Sequence, residues 1–327
     1  MTPLRRRALL AAPLLPALAR PALGQGAWPT RPIRIVIPFG TGGGTDITTR
    51  LLAPKLAEIL GQPVVLENRP GAGGVVGTDY VAKLPPTGDV FVLSTLSPIG
   101  LARGLPAPVP FDARRDLVAI APTVFVPIAM AITTRNFAPR TAAEFVAALR
   151  ANPGRYQYGS SGIGTSGHIA SASFCIRTGT DAVHVPYRGG GQVFTALTAG
   201  EIQFCSDIPS ILKGFQEGGT ARVIFVATDR RSSLLPEVPT AAEAGIQGYK
   251  AYSWYGFFAP AGTPQPIVDR MAAATEQALS DPAISGRFEE MGTPAMRGYT
   301  PARFAQFVRE EIDLWEPEVR GLGIRAE

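Results

Sequence analysis

The sequence predicts an α/β protein of two lobes, each a mostly parallel sheet flanked by helices. Three observations carry this. Short apolar runs of strand length alternate with helical stretches, and the alternation starts twice, near Ile33 and again near Tyr156. Glycine-rich turns join strand to helix in both halves. The 327 residues suit two domains at roughly 100–200 residues each. The expected crossings near residues 124 and 228 assign 28–124 and 228–327 to lobe 1 and 125–227 to lobe 2.

In the first half, Ile33-Arg34-Ile35-Val36-Ile37 reads as a strand, followed by Gly40-Thr41-Gly42-Gly43-Gly44. Apolar residues Ile47, Leu51, Leu52, Leu56, Ile59 and Leu60 then recur at helical spacing. Pro54 should kink that helix or restart it, and Gly61 ends it. Val64-Val65-Leu66-Glu67 is the next strand. A helix from Gly73 to about Leu84 and a strand at Val90-Phe91-Val92-Leu93 complete a βαβαβ unit. The stretch Leu117 to Thr134 holds no charge. Pro122 and Pro127 interrupt it, so it reads as two buried strands rather than a membrane span.

The second half repeats the plan without repeating the sequence. Tyr156-Gln157-Tyr158 leads into a loop, Gly159 to Gly167, and a helix from His168 to Arg177. The strand Ala182-Val183-His184-Val185 precedes Pro186 to Gly191 and a helix to Ala199. A strand at Ile202 to Cys205, a helix to about Gln216 and a strand from Arg222 to Ala227 close the unit. Two helical stripes follow, Ile267-Val268-Met271-Thr275-Leu279 and Phe304-Phe307-Val308-Ile312-Trp315. Both read as core faces.

The amino terminus reads as an export signal. Arg5, Arg6 and Arg7 precede an apolar run from Ala8 to Ala19, and Ala22-Leu23-Gly24 makes a small-x-small end. The expected cut falls near Gly24, by the Sec or the twin-arginine route. Removing residues 1–24 removes four arginines and no acid, so the net charge falls from +5 to +1. A basic face for nucleic acid is thereby lost. Export also places Cys175 and Cys205 in an oxidising compartment. They read as two buried thiols, a bridge between them being the alternative.

Two His and two Cys do not make a zinc cluster. A dinucleotide fingerprint fails at Thr45 and at Val76, where the third glycine should stand. No lysine follows a glycine, which excludes a Walker A loop, and Gly159-x-Ser161 lacks the glycine of a nucleophile elbow. Ser161 or Ser166 with His168 or His184 remains as an irregular dyad, and so an exported hydrolase acting on a carboxylate or ester is the alternative function. His168 otherwise reads as a helix-start residue and His184 as a half-buried strand residue.

The glycine-rich turns carry the main reading. Each stands between the carboxyl end of a strand and the amino end of a helix, where unpaired N–H groups and the helix dipole favour an anion. Two such loops from facing lobes would enclose a small acid. Asp46 is either a first-turn acid complementing the dipole or a ligand contact. Arg188 is either a surface charge or a ligand or hinge residue.

These loops resemble a known family. Pro38-Phe39-Gly40-Thr41-Gly42-Gly43-Gly44-Thr45-Asp46 and Glu67-Asn68-Arg69-Pro70-Gly71-Ala72-Gly73-Gly74 are similar to the first two signatures of the Bug (tripartite tricarboxylate transporter) substrate-binding proteins. Ser160 to His168, Val183 to Gly189, Leu235 to Gly245 and Ala259 to Pro264 continue the likeness in the family's order. The resemblance implies a periplasmic-binding-protein fold, type II-like, that closes by hinge motion over a small mono-, di- or tricarboxylate. It implies a periplasmic monomer that delivers ligand to membrane permease subunits or reports it to a sensor protein, without catalysis, metal or cofactor. By similarity, ligand contacts fall on Phe39, Gly43, Gly44, Thr45, Asp46, Thr95 and Ser97 in the first lobe. In the second they fall on Ser161, Gly164, Thr165, Arg188 and Asp207. Thr41 departs from the family's usual proline, which leaves the first loop less constrained.

Overall fold

The computed structural model describes residues 28–324, so the leader and its expected cut near Gly24 lie outside the described residues. The first half runs β1 (Ile33–Ile37), α1 (Gly44–Leu60), β2 (Val64–Asn68), α2 (Val75–Ala82) and β3 (Val90–Thr95). One-turn helices α3 (Leu96–Ile99) and α4 (Ala113–Asp116) lead to β4 (Leu117–Pro127). Next come β5 (Ala129–Thr133), α5 (Ala142–Ala151), β6 (Gln157–Ser160), α6 (Ser166–Thr178), β7 (Val183–Pro186) and α7 (Gly190–Ala199). They continue into β8 (Phe204–Asp207), α8 (Pro209–Glu217) and β9 (Ala221–Val226). The chain then returns through β10 (Tyr252–Pro260), α9 (Gln265–Leu279), α10 (Pro282–Glu290) and α11 (Pro301–Gly321).

Two five-stranded sheets result, in the orders β2-β1-β3-β10-β4 and β7-β6-β8-β5-β9. In each, the first three strands are parallel and the fourth is antiparallel to its neighbours. The antiparallel member is in both cases the strand that arrives from the other lobe. β5 follows β4 across a single residue, Ile128, and β10 comes back after β9. At the crossing, Tyr252 pairs with Pro127, the Ala227 N–H bonds the Ile128 carbonyl (2.8 Å), and the Ala251 N–H bonds the Ala227 carbonyl (2.9 Å). One apolar cluster runs through this point, from Ile33, Leu56 and Phe91 to Phe145, Phe174 and Phe204. The lobes therefore share core at the crossing while their loops stay separate in sequence.

The uncharged stretch forms two buried strands, as its prolines suggest. Pro122 sits opposite Gly256 where the β4–β10 register shifts, a position that tolerates a missing N–H. Other expectations change. α1 runs unbroken through Pro54, because the proline and Arg50, whose carbonyl it frees, both face solvent. Ile47, assigned to the core stripe, is 41% exposed, while Thr45, Asp46, Thr48 and Thr49 are buried in its place. That polar burial marks the end of α1 facing the other lobe. The last strand before α8 runs to Asp207 rather than ending at Cys205, which sets Asp207 at the sheet's carboxyl edge.

Candidate functional site

The carboxyl edges of the two sheets face one another. Gly73 meets the opposite loop so closely that a Cβ on it would lie 3.0 Å from the Ile163 carbonyl oxygen. A Cβ on Gly164 would lie 2.8 Å from a Leu105 methyl. Ser97 Oγ and Ser166 Oγ stand 3.2 Å apart, one at the start of α3 and the other opening α6. A Cβ on Gly44 would meet the Tyr255 hydroxyl oxygen at 2.7 Å and the Ile208 side chain at 3.8 Å. Farther back, the Tyr249 hydroxyl donates to the Ala170 carbonyl (2.9 Å) and Arg177 pairs with Glu318 (2.5 Å). Helices α1, α3, α6 and α8 thus present their amino ends along one shared seam.

The first-lobe loop is held by Asp46. Its Oδ2 accepts from the Gly42 N–H (2.9 Å) and from Arg50 Nε (2.9 Å), and its Oδ1 accepts from Asn68 Nδ2 (3.0 Å). The same Asn68 amide donates to the Phe39 carbonyl (3.0 Å). Burial opposes the Asp46 charge, but Arg50, the Gly42 N–H and Asn68 together hold its carboxyl below the usual range. Of the two roles open to Asp46, the contacts favour the internal one: both oxygens are engaged within its own lobe. Gly43, at the N-cap of α1, brings no side-chain cap, so the first N–H groups of α1, from Gly44 and Thr45 onward, are left unpaired at the end of the helix that meets the seam. The Phe39 ring fills the space beside Gly74.

The second-lobe loop is organised by Thr165, expected as a ligand contact, and by Ser160, His168 and His184, which were not. Thr165 Oγ1 donates to the Gly162 carbonyl (2.8 Å) and accepts from the His168 N–H (3.4 Å), capping α6. The Gly164 N–H donates to His168 Nδ1 (3.1 Å), so that amide is engaged internally rather than offered to a ligand. His184 Nε2 and Ser160 Oγ are 2.7 Å apart, and Ser160 also bonds the Gly162 carbonyl (3.0 Å). Burial pushes the His168 pKa down to about 3, with His184 adding to the shift, and pushes His184 down to about 4. Both rings are neutral props beneath the loop.

The remaining expected residues divide. Thr95 accepts from the Ser97 N–H (3.2 Å), capping α3, and Ser97 reaches across the seam. Ser161 is exposed. Arg188 is exposed as well, and its guanidinium has no partner among the described residues. Asp207 Oδ1 accepts from the Ile208 N–H (2.7 Å) at the seam. The serine–histidine dyad does not form at Ser161 or Ser166: His184 bonds the buried Ser160, His168 bonds a backbone amide, and Ser166 faces Ser97. The sequence reading missed Tyr255, Asn68 and Arg50. An Arg four residues after Asp46 on a helix was a usable signal, whereas nothing local marked Tyr255.

The thiols of Cys175 and Cys205 are free and buried, and burial pushes Cys175 up to about 12 and Cys205 well above its usual value. Among the described residues no group of three or more His, Cys, Asp or Glu side chains is placed to hold a metal, and no helix is long and apolar enough to cross a membrane.

The sequence profile of the tripartite tricarboxylate transporter family receptor matches residues 48–324. Protein BugT of Bordetella pertussis is 32% identical over 301 residues, 91% of each chain. Two solved structures from Rhodopseudomonas palustris share the fold. MatC, with bound malate, is 30% identical with a TM-score of 0.84, over 89% of this chain and 100% of that one. Rpa4515, with adipate, is 31% identical with a TM-score of 0.85, over 91% and 99%.

Proposed function

The chain belongs to the tripartite tricarboxylate transporter receptor family, and from that premise we propose that it captures a small organic carboxylate in the periplasm and delivers it to a permease of the tripartite type. The observation that carries this is the seam itself. Uncapped α1, with Gly44 and Thr45 at its start, faces the α8 end of the other sheet, and α3 beside it faces α6. Hydrogen bonds to a charged group contribute about 1.5–3 kcal/mol each. Three or four of them, less the cost of association, give roughly micromolar affinity. Malate in MatC and adipate in Rpa4515 support a carboxylate as the cargo.

In this reading the lobes hinge at the paired crossing of Pro127–Ile128 with Ala251–Tyr252, later in the chain than the expected crossings near residues 124 and 228, because β4 runs on to Pro127 and Thr240 still bridges to Val226 of β9. Opening separates Gly73 from Ile163 and Ser97 from Ser166; closing buries the ligand. The amides of Gly43, Gly44 and Thr45 take the carboxylate from one side. Ser161 and Arg188 close on it from the other, with Asp207 facing the rest of the ligand, and Arg188, whose guanidinium has no partner among the described residues, is free to swing inward. Asp46, Thr95, Gly164 and Thr165 shape the loops.

Thermal unfolding of the mature protein with mono-, di- and tricarboxylates tests this. A true ligand at a hundred times its Kd adds about 2.7 kcal/mol of stability, and it is recovered unchanged. A panel in which no carboxylate raises the melting temperature, or in which one is consumed, refutes the reading.

A further inference from the structure

Two side chains at the seam, one from each lobe, each have a polar atom without a partner among the described residues. Asp207 ends β8 and pairs in the sheet with Ala129 at the crossing. Its Oδ1 accepts from the adjacent Ile208 N–H, and its Oδ2 accepts from nothing. Tyr255 lies on β10 level with Thr95, at the carboxyl edge of the other sheet. Its hydroxyl leans on the amino end of α1 beside Gly44, with Ile208 on the other side of the same spot. Both residues are half-buried.

A carboxylate in this position conflicts with its surroundings. Helix amino ends favour an anion, and a ligand anion bound there repels Asp207. Among the described residues no cation pairs with it, and Arg188 is exposed: burial pushes the Asp207 carboxyl up to about 6, and the Ile208 N–H acts against that. The conflict is resolved by a ligand that itself carries a donor. We propose that Asp207 and Tyr255 select a hydrogen-bond donor next to the ligand's carboxylate, so that the site takes hydroxy- or amino-carboxylates in preference to unsubstituted acids of the same length. The α1 amides and the Tyr255 hydroxyl bind the carboxylate, and Asp207 Oδ2 accepts from the ligand's O–H or N–H. An unsubstituted acid leaves Asp207 desolvated and unpaired, and sites built to meet a polar group reject analogues that lack it.

The inference rests on the carboxylate-binding reading above, and the experiment separates the two. Calorimetric titration of the mature protein uses matched acids differing by one hydroxyl: lactate and propionate, malate and succinate, citrate and tricarballylate. Alanine and aspartate supply the ammonium counterpart. The hydroxylated or aminated member of the pair that binds is expected to bind at least tenfold tighter. Asp207→Asn compresses that ratio below threefold with the melting temperature retained. Tyr255→Phe weakens both members alike and leaves the ratio unchanged. Equal wild-type affinities within a pair, or a ratio that survives Asp207→Asn, overturn the inference while carboxylate binding stands. The wild-type ratio decides even where the Asn variant folds poorly. Absence of binding by every acid in the panel overturns both.

Discussion

His168 and His184, the protein's two histidines, lie face to face with ring centroids 3.9 Å apart and planes inclined by 21°. Tyr158 stacks on both, 5.0 Å from His184 and 6.2 Å from His168. Two imidazolium ions would repel in such a stack, and burial holds both rings neutral near pH 7. With Nδ1 of His168 accepting from Gly164, its remaining proton sits on Nε2. Each ring then fixes a different part of one loop, His168 through Gly164 and His184 through Ser160.

Acid should loosen this prop. A folded-state pKa near 3 against 6.5 in the unfolded chain means the unfolded state binds the proton first. The stability from neutral, buried His168 is whole above about pH 6.5 and declines as pH falls toward 3. Between pH 7 and 4.5 the loss is about 2–3 kcal/mol. His168→Asn keeps an acceptor for Gly164 without the titration. Urea unfolding at both pH values should show wild type losing that amount relative to the variant. Asp207, shifted the other way, is common to both proteins and drops out of the difference. A difference that does not change with pH would contradict the neutral stack.

Removing the Asp46 carboxylate should act on folding and binding together. Asp46→Ala strands the Gly42 N–H, Arg50 and Asn68, and leaves the first loop without its tie. The expected loss is about 2–4 kcal/mol, with at least tenfold weaker ligand binding. Asp46→Asn, which keeps two of the acceptor contacts, should lose less than half as much. Denaturant melts and titration with the best carboxylate measure both quantities, and unchanged affinity in the Ala variant would return Asp46 to a purely helix-dipole role.

Gly73 separates closure from stability. Its φ of 62° already disfavours a side chain, and the opposing Ile163 carbonyl occupies the room a Cβ needs. Gly73→Val should cost the isolated fold about 1–2 kcal/mol yet weaken ligand binding tenfold or more by holding the lobes apart. Small-angle scattering at saturating ligand should give a larger radius of gyration than wild type. Wild-type affinity in this variant would mean that the loops do not need to meet.

Much of the fold could be read from the sequence because its causes are local. Alternating apolar runs placed β1, β3, β6 and β9, and the stripes of α9 and α11 are buried as their spacing requires, save for half-buried Ile267 and Phe307. β10 escaped notice. Tyr252 to Pro260 is apolar nearly throughout, carries Gly256 and has no period to mark it, and it becomes a strand by pairing with β3 and β4 on either side. The site was half legible in the same way. Glycine-rich turns before helices pointed to the loops, but not to the partners that hold them.

Which residues form most of the strands, turns and helices, β10 excepted, and that the helix amino ends would be rich in free N–H groups, the sequence determined alone, since these depend on neighbours a few positions apart. Only the tertiary structure decided that Asp46 holds its own loop, that Gly164 donates to His168, that Ser160 rather than Ser161 meets a histidine, and that Tyr255 stands opposite Asp207. Those pairings join residues brought together by sheet order and by the two crossings, and a side chain's role at such distances is set by what the fold places beside it.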